Sequence, residues 1–135
     1  MSLAIEDFFD ERTMSVHLKV DTYPFAKRGG PGNWDLVKLE DVPLTTDRVR
    51  AMAEEIVEAA GEDDKSFVEI QRSSSTIVQY KAYRVVIVSP PVSDGWEITA
   101  VKPLVQLDLE QYDLPATVFD RLKERASGVL VAGEV

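Results

Sequence analysis

Several short stretches carry residue types that could do chemistry. Near the C-terminus, Val129-Leu130-Val131-Ala132-Gly133 is an apolar run that ends in glycine. In nucleotide-binding α/β domains, a strand buried on both faces runs straight into a glycine-rich loop. Its N–H groups cradle phosphates, and a lysine and a hydroxyl follow to hold the terminal phosphate and the metal. Gly133 is the candidate first glycine of such a loop, with Glu134-Val135 at its next two positions. The second glycine, the lysine and the serine or threonine do not follow within these residues, so the chain by itself is expected not to turn over a nucleotide. Many buried strands end in glycine, and the pattern alone names no function.

The other candidates have simple structural readings. Lys27-Arg28-Gly29-Gly30-Pro31-Gly32 reads as a basic, flexible loop that breaks regular structure and could touch phosphate. Asp7, Asp10 and Glu11 could suggest a hard metal, but such sites draw carboxylates from several elements, and three on one local stretch read as a solvated face. Glu62, Asp63 and Asp64 read as a solvated loop after a helix. His17 is the single histidine and has no sequence-evident nucleophile or metal partner. Arg84 opens an otherwise apolar strand, where an arginine reaches solvent with its guanidinium. Trp96, beside the Pro90-Pro91 bend, reads as a buried tryptophan or as an edge that meets a partner.

The elements that must position these residues follow from periodicity. Thr13–Lys19 alternates, with Met14, Val16 and Leu18 on one side and Ser15, His17 and Lys19 on the other. A short strand is expected around Trp34–Leu39, within an otherwise irregular N-terminal arm over residues 4–35. Thr45–Ala60 is the clearest helix, with Val49, Met52, Ala53, Ile56, Val57 and Ala60 on one face, a Thr45 or Thr46 cap, Asp47 at the positive end and Gly61 as the expected stop. Four strands follow at Phe67–Arg72, Thr76–Tyr80, Tyr83–Ser89 and Trp96–Val101, with a tight turn at residues 80–83 and Asp94-Gly95 before the last. Leu104–Leu109 is an extended link. A second helix is expected over 115–127, ended by Gly128, and then the apolar strand 129–133.

The predicted fold is therefore α+β: an antiparallel sheet of four or more strands with one packed helix, a C-terminal linker helix, and one orphan strand lacking its neighbours. Residues 1–3 look like an expression leader, 4–110 like the domain, and 111–135 like the linker helix and the first strand of a further core. At 135 residues, with 44% hydrophobic content, one domain can bury a core without staples. No cysteine is present, so disulfides and thiolate metal sites are excluded; this fits a reducing, cytoplasmic setting. No apolar run reaches the length of a membrane helix. The net charge of −9 argues against the chain gripping DNA or RNA by itself.

Longer strings add a resemblance. Phe8-Phe9-Asp10-Glu11, Thr13-Met14-Ser15-Val16-His17-Leu18-Lys19, Ala26-Lys27-Arg28-Gly29, Tyr83–Val88, Pro90-Pro91-Val92-Ser93-Asp94-Gly95-Trp96-Glu97-Ile98-Thr99 and Gly128–Gly133 together resemble the archaeal PIN-domain-containing ATPases, relatives of the PilT-type and type II/IV secretion ATPases. The resemblance covers nearly the whole chain, and Pro90–Thr99 is its most specific part. It implies that this region lies after a PIN domain and before a RecA-like ATPase core and a KH-type RNA-binding domain. It further implies a homo-oligomeric ring, usually hexameric, with ATP and Mg held by the core and covered by this domain. Nucleic acid would be met through other domains of the parent. Arg84 and Lys102 match positions that supply phosphate contacts in such motors, although a lysine at 102 lacks the planar fork of the arginine often found there. The alternative is a stand-alone protein-interaction module without nucleotide chemistry.

Overall fold

A computed structural model describes residues 2–133 of the chain. Seven strands form one sheet: β1 Thr13–Lys19, β2 Phe25–Gly30, β3 Asn33–Lys38, β4 Phe67–Arg72, β5 Ser75–Tyr80, β6 Tyr83–Val88 and β7 Glu97–Val101. Helix α1, Thr46–Glu62, separates β3 from β4, and helix α2, Ala116–Glu124, follows the sheet. The strand order is β3-β2-β1-β7-β6-β5-β4, with every pairing antiparallel. Two meanders, β1–β3 and β4–β7, are thus joined along β1 and β7 at the centre. The chain divides into two units, residues 1–104 and 105–135.

In the first unit the alternation of apolar residues decides which face is buried. Val16, Leu18, Ala26, Val78, Val85, Ile87, Ile98 and Ala100 all point to one face and are buried there. Helix α1 covers that face with Val49, Met52, Ala53, Ile56 and Ala60. Full burial of side chains the size of Val49, Met52 or Ile56 stabilises by about 1.5–3 kcal/mol each. Thr45 caps the helix, its hydroxyl oxygen accepting from the Arg48 N–H at 3.2 Å. The chain crosses from β3 to α1 through Leu44, which is buried and bridges in parallel to Val20 at the end of β1.

Four expectations are corrected. Outside the expected strand β1, residues 4–35 are not irregular: they also hold a 3₁₀ turn at Ala4–Phe8 and β2, and run into β3. The basic stretch at 27–30 lies in β2, paired on both sides to β1 and β3. Gly29 sits at φ +139, and a Cβ there would lie 2.4 Å from the Asn33 carbonyl oxygen, so its glycine permits the close approach of β3 rather than a flexible loop. Gly61 lies inside α1, which continues to Glu62 and ends at Asp63 in an extended conformation. Leu3, set with the leader, is buried in the core; Met1 lies outside the described residues.

The second unit has no buried residue among those described. It contains a 3₁₀ turn at Leu109–Gln111 and α2, which is shorter than expected: Arg125 still donates its N–H to the Arg121 carbonyl but has left the helical conformation, at φ −130 and ψ 0. Lys123 pairs with Glu110 at 3.1 Å. Residues 129–133 form no strand, and Leu130 and Val131 are exposed; a strand needs a ladder partner, and none is present among the described residues. Glu134 and Val135, the expected next loop positions, lie outside the described residues. No helix is long and apolar enough to cross a membrane among the described residues.

Candidate functional site

The register places the candidate cations on different faces. Arg84 is opposite Val101 of β7 and Gln79 of β5, and points away from α1. Its guanidinium meets Glu69 at 2.7 Å, with both side chains well exposed. Glu69 reaches it because a bulge at residues 68–70 shifts the β4 register. Lys102 follows β7, donates its N–H to Met14 at 3.0 Å, and lies with its ammonium over Tyr83, 5.2 Å from the ring centroid. Tyr83 is buried on the α1 side, where it also meets Phe9 edge to face. The two residues therefore stand on opposite sides of the sheet and the structure does not bring them together. Gly133 belongs to the second unit.

A cleft of about 530 Å³ opens on the α1 side, lined by Arg28, Arg48, Asp7, Glu40 and Glu55 among others. Arg48 forks onto Glu40 through two hydrogen bonds of 2.6 and 2.8 Å, and this holds the Glu40 carboxyl below its ordinary pKa. Arg28 donates from Nε to the Thr13 hydroxyl and meets Asp10, both at 3.2 Å. The Thr13 hydroxyl donates to Asp10 at 2.7 Å and is the main cause of a lowered Asp10 pKa, with Arg28 adding to it. Two guanidinium groups are balanced by three carboxylates in the cleft wall, so it offers no net positive field to a phosphate. Asp10 is occupied by Thr13, Arg12 and Arg28. Among the described residues no three carboxylate or histidine side chains converge as a metal site. Asp63 accepts from the Lys65 N–H and the Ser66 hydroxyl, each at 2.9 Å, and serves the loop that follows α1.

The face of the sheet opposite α1 has no covering element within the first unit. Its side chains fall in rows set by the register. One row is Lys38, Phe25, His17, Thr99, Val86, Ile77 and Ile70; the next is Leu36, Lys27, Ser15, Val101, Arg84, Gln79 and Phe67. His17 Nε2 and Ser15 Oγ are 2.9 Å apart. Burial first, and Lys27 second, hold the His17 pKa below its ordinary value. Trp96 lies on the other side, half-buried against the core, with the Arg50 guanidinium 5.6 Å from its ring centroid. Sequence reasoning found Lys27 and Arg84 but not this face, because it read the middle strand of the first meander, β2, as a loop.

No family model matches the chain. It is 47% identical over 131 residues to the Holliday junction branch migration ATPase PINA of Sulfolobus acidocaldarius, a match spanning 97% of this chain and 26% of that protein. It is 42% identical over 133 residues to an uncharacterized KH and PIN-domain containing protein of Methanocaldococcus jannaschii, covering 98% of this chain and 21% of that one. The chain is thus similar, along almost its whole length, to between a fifth and just over a quarter of two longer archaeal proteins, one of them named as an ATPase. The X-ray structure of the Legionella pneumophila ATPase DotB matches 82% of this chain and 31% of its own, at 16% identity and a TM-score of 0.42, too loose a likeness to carry an argument.

Proposed function

We propose that this chain is the N-terminal domain of the motor module in an archaeal ATPase of the PilT and secretion-ATPase kind, where it covers the nucleotide of a RecA-like core and contributes to a homo-oligomeric ring. The observation that carries this reading is the 47% identity to a segment of PINA across 97% of the chain. If the parent resembles that relative in its task, it drives branch migration of Holliday junctions. ATP and Mg would be held by the core. Arg84 would supply a guanidinium to the phosphates: it is exposed, and its ionic partner among the described residues, Glu69, is also exposed and easily exchanged. A planar guanidinium spreads charge over the equatorial oxygens as phosphoryl transfer proceeds. Lys102 and Gly133 stand as further phosphate contacts in the intact protein, the lysine only if it leaves the Tyr83 ring.

The test is kinetic. In the full-length parent, Arg84→Ala should slow ATP hydrolysis by at least tenfold while nucleotide affinity changes little; unchanged rate and affinity would make Arg84 structural. The purified 135-residue chain should show no steady ATP turnover, and a sustained signal from it would count against the reading. A second reading, a stand-alone protein-interaction module, draws on the uncovered sheet face. The gene separates the two, since the motor reading requires Gly-x-Gly-Lys followed by serine or threonine after Val135.

A further inference from the structure

The uncovered face is not uniform. Along β2 and the residue pair before it, Tyr23, Phe25 and Lys27 recur at every second position, and along β3 so do Trp34, Leu36 and Lys38. The register sets Phe25 opposite Lys38, Lys27 opposite Leu36 and Gly29 opposite Trp34. Each lysine rests on an aromatic ring: the Lys27 ammonium lies 4.2 Å from the Trp34 centroid, and that of Lys38 lies 4.8 Å from Tyr23. Trp34, Leu36 and Tyr23 are exposed, and Gly29 leaves the ground beside Trp34 bare of side chains. Lys38 has a carboxylate partner, Asp41 at 2.6 Å. Lys27 has no carboxylate within ion-pair distance among the described residues.

Charge is segregated in the same sense. The strands place Lys19, Lys27, Lys38, Arg72 and Arg84 on the uncovered face, where Glu69 pairs with Arg84, Asp94 and Glu97 with Lys19, and Asp41 with Lys38. Helix α1, on the other side, carries Asp47, Glu54, Glu55, Glu58 and Glu62 against Arg48 and Arg50. In a chain with a net charge of −9, this side is nearly balanced, and its aromatic hairpin carries, at Lys27, an ammonium that no carboxylate holds among the described residues. Strand positions two apart are about 6.7 Å from each other, room for a flat base against each ring. Flat rings with ammonium groups within reach of a backbone are the chemistry that holds single-stranded nucleic acid without reading its sequence.

We infer that the outer face of the β2–β3 hairpin binds single-stranded DNA, with Lys27 and Lys38 swinging off the Trp34 and Tyr23 rings onto backbone phosphates, bases stacking on the two rings they leave, and half-buried Phe25 between them. The platform rests on the geometry above; only the choice of DNA over RNA rests on the motor reading. Arg84 lies outside it, so loss of this binding and loss of the Arg84 effect on hydrolysis are separate results.

The experiment is an anisotropy titration of the full 135-residue chain against labelled oligothymidylate of about 12 nucleotides, within the span one such module occupies. Affinity should fall steadily as salt rises from about 50 to 200 mM. Trp34→Ala should weaken binding by about tenfold and Trp34→Phe should largely keep it. Lys27→Ala should lower the slope of log affinity against log salt by about 0.7. Phe67→Ala, an exposed ring at the far edge of the same face, should leave binding unchanged. Thermal unfolding of each variant checks that it folds. Absence of binding at the lowest salt, or equal loss from Phe67→Ala, would overturn the proposal. So would light scattering showing a self-associated wild type that Trp34→Ala makes monomeric with no change in DNA affinity, since the face would then be a protein contact. Tighter binding of oligouridylate would overturn the choice of DNA.

Discussion

On the α1 side of the sheet, Val16, Val85, Ile98 and Ala100 are buried to 1% exposure or less; on the other side the neighbouring residues of the same strands, His17, Arg84, Thr99 and Val101, are half-buried or exposed. One backbone serves both faces, and the alternation of side chains assigns each residue to one of them. The covered face is made of branched and small apolar residues whose only requirement is to exclude water. The uncovered face mixes rings, ammonium groups, a histidine and a serine in fixed rows. The difference teaches that stability in this domain is concentrated on one side, which leaves the other free to carry recognition.

That contrast can be broken most sharply from the core. Ile56→Ala should cost about 2–5 kcal/mol, because a fully buried side chain leaves a cavity between α1 and the sheet. Leu36→Ser, on the uncovered face at 57% exposure, should shift stability by no more than about 0.5 kcal/mol. Urea unfolding of the two variants measures the gap; equal losses would mean that the uncovered face is buried in solution. Gly29→Ala comes next, at about 1–3 kcal/mol, since an alanine there is both at positive φ and in collision with the Asn33 carbonyl. A loss well below that range would show that the β2–β3 pairing is loose.

The smallest effect is that of pH. His17 has a lowered pKa in the fold, so between its folded and unfolded values the unfolded chain binds more protons. Its contribution is present above the unfolded value near 6.5 and is lost as pH falls through the folded value. Asp10 and Glu40, also lowered, act in the same sense at more acidic pH. The urea midpoint should therefore fall on acidification, and His17→Gln should flatten the part of that curve just below pH 6.5. An unchanged curve would place the imidazole in full contact with water.

Much of this architecture was legible from residue order. The strands Thr13–Lys19 and Phe67–Arg72 agree with the sequence reading at both ends, and α1 with its Thr45 cap and apolar stripe is close to it. Strand β2 was not legible, because Lys27-Arg28-Gly29-Gly30 has neither alternation nor β-branched residues; pairing on both sides holds it as a strand against its local preference. Gly61 misled for a related reason: α1 tolerates a helical glycine and stops two residues later. The uncovered face could have been found from Tyr23, Phe25 and Lys27 at every second position, but only once β2 is known to be a strand. The pairing of Arg84 with Glu69 depends on the β4 bulge, which no local pattern announces.

The union of β1 and β7 has a mechanical side. Because Ser15 faces Val101 in an antiparallel pair, the chain enters and leaves the sheet side by side, one strand spacing of about 5 Å apart. The whole sheet is thus a loop hung from two adjacent points, and it can sit within a longer polypeptide without driving the flanking segments apart. Once Leu3, Ile5 and Phe8 are pulled out of the core, tension between those points would load the central ladder one rung at a time from the Ser15–Val101 end, peeling it like a zip rather than shearing all rungs together. After that N-terminal turn has come away, a force along the chain would open this domain from its middle, between the two meanders, before disturbing either hairpin edge.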